Sequence, residues 1–276
     1  MEHNLEQSMY DSAIKYANQA GRLIVERMEN KGTIDYKKNG SDLVTEVDKL
    51  SEELIRSNIQ RDYSGQWILS EEDCGQEDAY QAFLKTDSGY GWIIDPIDGT
   101  TNFVHGIPHF SVSIGIVKDG EPVIGVVFNP MTAELYTARK SQGAYRNGQL
   151  IQVGKESKLA EAVLATGFQA NEWHPGSRVL KQIDQLAGKS RNVRMFGASS
   201  LDLCLIATGK LTGFWHEGLN PWDTAAGVLI LTEAGGMVTD KDGKPYRLFH
   251  ESLVGSNRIV HDEFLNAIKL LKVGKS

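Results

Sequence analysis

Trp92-Ile93-Ile94-Asp95-Pro96-Ile97-Asp98-Gly99-Thr100-Thr101-Asn102 reads as a short buried strand that runs into a rigid acidic turn. Pro96 fixes its own φ and biases Asp95 toward an extended conformation, so that carboxylate stays at the strand terminus. Asp98-Gly99-Thr100 then turns the chain, and Gly99 permits close backbone approach to a ligand. If residues 100–105 begin a helix, its unpaired N–H groups and positive dipole end point at whatever Asp95 and Asp98 surround. An isolated Asp-Gly-Thr is ordinarily only a turn. The strand, the proline and the second carboxylate together suggest divalent cations bridging protein acids and a phosphate.

Two further acidic segments extend this pattern. Upstream, Trp67-Ile68-Leu69 is a second short strand, running into Ser70-Glu71-Glu72-Asp73. Adjacent acids commonly form a solvated turn; if strands 66–70 and 90–94 pair side by side, Glu71 and Asp95 emerge from one sheet edge. Downstream lies Asn220-Pro221-Trp222-Asp223-Thr224-Ala225-Ala226. An acid in a first helical turn is often just a dipole partner, worth about 0.3–1 kcal/mol. Trp222 and the small Ala225-Ala226-Gly227 surface, however, indicate a buried helix end, where an acid needs a cation or another strong partner.

Four converging carboxylates cannot all ionise in one cleft without positive charge. No Arg or Lys lies within these motifs. Hard divalent cations with oxygen ligands, Mg²⁺ first among them, meet the requirement. Two ions roughly 3.5–4 Å apart would clamp a phosphate and lower the pKa of a bound water. No Ser/His/Asp or Cys-x₅-Arg arrangement offers a covalent nucleophile.

Composition sets the outer limits. Of 276 residues, 36 are acidic and 29 basic, a net charge of −7, which argues against direct nucleic-acid binding. Apolar types at 41% and charged types at 24% match an ordinary soluble enzyme. The apolar runs 227–231 and 126–128 are far too short to span a bilayer, so no membrane partner is expected. Met1-Glu2-His3-Asn4-Leu5-Glu6 lacks a secretory pattern, and the expected compartment is the cytoplasm. Cys74 and Cys204 make neither a disulfide framework nor a zinc site.

The element pattern is mixed. Residues 4–29 read as an amphipathic helix with Leu5, Met9, Ala13, Ala17, Ile24 and Met28 inward, ended by Lys31-Gly32. Residues 37–42 read as a mobile loop, and Thr45-x-x-Asp48 as a capping box opening a helix with Val47, Leu50, Leu54 and Ile59 inward. Phe110, Val112, Ile114 and Ile116 alternate on one strand face, Asp119-Gly120 marks a hairpin, and 123–128, 135–137 and the Asn147-Gly148 turn extend an antiparallel sheet. The second half predicts strands at 162–165, 214–215 and 252–255, and helices at 177–187, 199–208, 221–234 and 259–272. The sum is an α/β (mixed α+β) sandwich with two lobes, 1–148 carrying most candidate ligands and 149–276 closing the site.

Trp92 to Phe103, together with Trp222-Asp223-Thr224-Ala225-Ala226-Gly227 and Glu233-Ala234-Gly235-Gly236, resembles the two signatures of the inositol monophosphatase family. The resemblance runs from about Lys37 to Ser256. It implies a lithium-sensitive, Mg²⁺-dependent phosphatase with a layered αβαβα sandwich of the sugar-phosphatase type, a mostly antiparallel first sheet, and a homodimer. By the same resemblance, Glu71, Asp95 and the Ile97 carbonyl hold one metal, Asp95, Asp98 and Asp223 a second, and Glu71 orders a third, weaker ion. Thr100 and Glu71 orient the attacking water, Asp48 bonds Thr100, the amides of Gly99 and Thr100 receive the phosphate, and Lys37 stands on a mobile loop near the metals. Gly197-Ala198-Ser199 lines the alcohol side of the substrate.

One position departs from the pattern. Where the family generally places a glutamate against the inositol ring, this chain has His216, with Glu217 beside it. A histidine can donate to a hydroxyl or phosphate, or stack on a base or sugar; otherwise it is a satisfied strand-end residue. Inositol monophosphate is the expected substrate, with fructose 1,6-bisphosphate, NADP and 3′-phosphoadenosine 5′-phosphate as alternatives. The rivals from other classes are a regulatory partner-binding role alongside catalysis and a purely structural metal-binding domain.

Overall fold

The computed structural model describes residues 2–28, 34–36, 43–72, 89–169 and 172–269. Lys37, Cys74, the loop 37–42, the helix stop at Lys31-Gly32 and the end of the last predicted helix lie outside them.

The first layer is helical. In α1 (Glu2–Arg27), Met9, Ala13, Tyr16, Ala17, Ala20 and Ile24 form a fully buried stripe at helical spacing, while Leu5 stays largely exposed. A short ribbon of β1 (Ile34–Tyr36) and β2 (Leu43–Thr45) leads into α2 (Glu46–Asp62). Thr45 caps α2 as expected: its hydroxyl accepts the N–H groups of Val47 and Asp48, and Asp48 accepts the Thr45 N–H in return. Val47 and Ile59 are buried in α2, Leu50 and Leu54 only half-buried, and Ile55 takes the inward place between them.

Among the described residues the first sheet has the order β3-β4-β5-β6-β7-β8-β9. Its strands are β3 (Trp67–Ser70), β4 (Tyr90–Asp98), β5 (Ser111–Lys118), β6 (Glu121–Asn129), β7 (Glu134–Arg139), β8 (Ala144–Arg146) and β9 (Gln149–Leu150). Only β3 and β4 run parallel, with Ser70 beside Ile94; every other pair is antiparallel. Asp119 and Gly120, both at positive φ, make the β5–β6 hairpin. Instead of stopping at Asp95-Pro96, β4 continues to Asp98, preceding the one-turn-and-a-half helix α3 (Thr100–His105).

Single-faced alternation in β5 does not hold. All residues from Ser111 to Val117 are buried, because helices cover both sheet faces. The second face carries small residues so that α6 (Pro221–Glu233) can approach. A Cβ on Gly115 would lie 2.7 Å from Ala225 Cβ, and one on Gly125 would lie 2.7 Å from the Ala226 carbonyl oxygen. Gly125→Ala should therefore cost about 1–3 kcal/mol and lower Tm by several degrees in a thermal melt. An unchanged Tm would mean that α6 does not sit directly on β6.

The second sheet has the order β11-β10-β12-β14-β13: β10 (Val163–Thr166), β11 (Asn192–Arg194), β12 (Gly213–Glu217), β13 (Met237–Thr239) and β14 (Ser252–Ser256). β10 runs parallel to β11 and β12, and β14 antiparallel to β12 and β13. Between the sheets lie α6 and α5 (Ser199–Ala207), sharing a core of Leu203, Ile206, Ile230 and Leu231 with Val127, Phe214 and Leu253. On the outer face, α4 (Arg178–Leu186) and α7 (His261–Ile268) pack Leu186, Phe264 and Leu265 against Trp215 and Val254. The layers thus alternate αβαβα. Among the described residues no helix is long and apolar enough to cross a membrane.

Candidate active site

A β-bulge builds the centre of the site. Asp95 opposes Ser113 and Asp98 opposes Ser111, so three steps on β4 match two on β5. Residues i and i+3 of a regular strand face opposite ways; the extra residue turns Asp95 and Asp98 to the same side. Pro96 sits within the irregularity, where the missing N–H breaks no ladder bond. The Ile97 N–H closes the turn onto Asp95 Oδ1 at 3.0 Å, and Ser51 Oγ donates to Pro96 O at 3.1 Å.

α6 delivers the third carboxylate. Asp223 lies in its first turn, and Asp223 Oδ2 accepts the Asn220 N–H at 2.7 Å. One carboxylate oxygen from each of Asp95, Asp98 and Asp223 lies within 4.8 Å of the others. Asp98 is held from α5: Ser199 N–H donates to Oδ1 at 3.2 Å, and Ser200 N–H and Oγ both donate to Oδ2. Burial pushes the Asp98 carboxyl up to about 6, against the Ser200 hydrogen bonds and the neighbouring His109, which hold it down; the nearby charge of Glu71 adds to the rise. An all-oxygen donor set with Asp95 and Asp98 buried and Asp223 half-buried fits a hard divalent cation.

Glu71 follows β3 directly, and its N–H donates to Ile94 O at 3.3 Å, so it leaves the same sheet edge as β4. It stands outside the group of three close carboxylates but near enough to act on Asp98. Thr100 Oγ1 lies 3.2 Å from Asp48 Oδ1 and 3.1 Å from Ile97 O. Asp48 Oδ2 is occupied by the Thr45 N–H and hydroxyl, which leaves Oδ1 for Thr100. Gly99, at φ 94°, caps α3; a Cβ there would press on Gly197 O at 3.1 Å and His109 O at 3.2 Å. Only glycine suits that conformation and that space.

Sequence reasoning overlooked several supporting residues. Asn102 Nδ2 donates to His109 O and Phe196 O, both at 2.7 Å, binding together the two segments that flank Gly99. Ser200 is a helix residue whose role depends on a partner 102 positions away, so no local pattern announces it. Behind it Asp202 faces His109 Nε2 at 3.8 Å, and burial pushes its carboxyl up to about 6.

His216 occupies β12 with 6% of its surface exposed. Its Nδ1 lies 2.7 Å from Glu217 O, and a Cβ on Gly167 would come within 2.9 Å of the ring. Burial pushes its pKa down to about 4, against the bond to Glu217. The folded value thus lies below the ordinary 6.5, and the unfolded chain binds more protons between the two. Stability from this group is complete above pH 6.5 and is lost as pH falls toward about 4, roughly 3 kcal/mol across the window. His216→Gln should reduce the pH 7-to-4 loss of unfolding free energy by that amount in urea titrations. An unaltered loss would mean the imidazole is solvated.

A family model described as the inositol monophosphatase family matches residues 5–271. The chain is 39% identical to "Inositol monophosphatase 2" of Solanum lycopersicum, over 94% of this chain and 97% of that protein. It is 36% identical to "Nus factor SuhB" of Escherichia coli K12, over 95% and 98% respectively. A solved IMPase of Thermotoga maritima superposes with a TM-score of 0.84 at 34% identity, covering 95% of this chain and 96% of that one.

Proposed function

The chain belongs to the inositol monophosphatase family, and from that premise we propose that it hydrolyses inositol monophosphate at the Asp95–Asp98–Asp223 cluster with Mg²⁺ as cofactor. The convergence of those three carboxylates, from a bulged strand and a buried helix end, carries the reading. Glu71, Asp95 and the Ile97 carbonyl would hold one ion, Asp95, Asp98 and Asp223 a second, and Glu71 a weaker third. Bound there, the ions supply charge for the phosphate and acidify a water for attack.

The remaining work falls to the chain itself. Thr100 donates its single hydroxyl hydrogen to Asp48 Oδ1, so its oxygen lone pairs can accept a hydrogen bond from the attacking water and orient it, with Glu71 as the other acceptor. The N–H groups of Gly99 and Thr100 receive phosphate oxygens at the start of α3. Ser199 and His216 line the alcohol side, and Lys37 supplies a positive charge from outside the described residues. A homodimer and lithium inhibition complete the reading by family resemblance, and two lobes divided near residue 148 and a cytoplasmic setting by the sequence pattern.

Phosphate release from inositol 1-phosphate, fructose 1,6-bisphosphate, NADP and 3′-phosphoadenosine 5′-phosphate, measured side by side, tests the substrate. We expect the highest kcat/KM on inositol 1-phosphate and none after chelation by EDTA. A higher value on any of the other three would reassign the substrate, and EDTA-resistant turnover would remove the metal. The likeness to "Nus factor SuhB" favours a second, regulatory role. A pull-down partner retained by Asp95→Asn would support it, and no retained partner would speak against it.

A further inference from the structure

Three residues on one face of α2, at positions i, i+3 and i+4, reach three different segments of the site. Asp48, Ser51 and Glu52 are 0%, 0% and 4% exposed. Asp48 takes the Thr100 hydroxyl and Ser51 holds the carbonyl of Pro96. Glu52 Oε2 accepts the N–H of Glu72 at 3.1 Å. The Glu52 bond falls immediately after Glu71, where the chain has left β3 and the ladder has ended. Glu71 is therefore gripped between two backbone ties: its own N–H to Ile94 O, and the next N–H to Glu52. Arg56, one turn on, places Nη1 3.6 Å from Glu52 Oε1 and braces the carboxylate from its other side.

We propose that Glu52 is a positioning residue that aims the Glu71 carboxylate at the Asp95–Asp98–Asp223 cluster. The inference rests on Glu71 being a cation ligand. A buried glutamate is costly to desolvate, and here its service is to fix a backbone amide beside a ligand while Ser51 and Asp48 secure the 96–100 stretch. Outer partners of metal ligands act in this way by holding ligand orientation.

Calorimetric Mg²⁺ titration of the full chain, with amide hydrogen exchange at Glu72 in the metal-free protein, tests this in Glu52→Ala, Glu52→Gln, Glu52→Asp and Glu71→Gln. Glu52→Ala should weaken Mg²⁺ binding about tenfold and accelerate exchange at Glu72. Glu52→Gln should restore both, because its amide oxygen still accepts the N–H. Glu52→Asp, one methylene short, should show the Ala loss and serves in its place should Glu52→Ala fail to fold. Weakened binding in Glu71→Gln with wild-type binding in Glu52→Ala and Glu52→Asp would overturn the positioning role. A Glu52→Gln variant no better than Glu52→Ala would overturn it also. Unchanged binding in Glu71→Gln would instead overturn the ligand assignment on which it stands, leaving Glu72 exchange as the separate reading of the Glu52 tie.

Discussion

Asp95→Asn is expected to lower kcat by at least about a thousandfold, some 4 kcal/mol of transition-state stabilisation. Asp95 has 1% of its surface exposed, belongs to the close group of three carboxylates, and is the residue proposed to touch both main ions. The substitution keeps the shape. An asparagine oxygen can still accept the Ile97 N–H that Asp95 Oδ1 now takes, so the bulge and its neighbours should persist. What disappears is the negative charge. The thermal melt in EDTA should stay close to that of the wild type, while the rise in Tm on adding Mg²⁺ shrinks. Near-normal turnover by this variant would remove Asp95 from the cation site.

Thr100→Val, nearly equal in volume, removes the hydroxyl beside Asp48 and should lower kcat about 10²–10³-fold with KM changed by less than about threefold. The split follows from the assignment of the Thr100 hydroxyl to the water, while the Thr100 N–H that receives the phosphate is kept in the variant. Thr100→Ser should recover most of the rate, since a serine hydroxyl can also donate to Asp48 Oδ1 across the 3.2 Å gap. A loss expressed in KM, or a Thr100→Ser variant as slow as Thr100→Val, would contradict the assignment of the Thr100 hydroxyl to the water.

Much of this was readable before any coordinates. The Asp119-Gly120 hairpin, the capping box at Thr45 and the α1 stripe each depend on a few adjacent residues, so local chemistry announces them. Pro96 suggests that the strand ends at Asp95, whereas β4 runs on to Asp98. The bulge was hidden, because it exists only in the count of β4 residues against β5. Glu52 has no local signal, because its partner, the Glu72 amide, is brought to it only by β3. The glycines of β5 and β6 gained their meaning from α6, some hundred residues on. β1, β2, β11 and β13 are three residues each, too short to carry a periodic signal, and tertiary packing decides them.

Diffraction from crystals equilibrated with Mn²⁺, collected at the manganese absorption edge, tests the central claim most directly. The account predicts anomalous density about 2.0–2.2 Å from carboxylate oxygens of Asp95, Asp98 and Asp223. Those same carboxylates, well ordered at millimolar Mn²⁺ with no anomalous density among them, would contradict it.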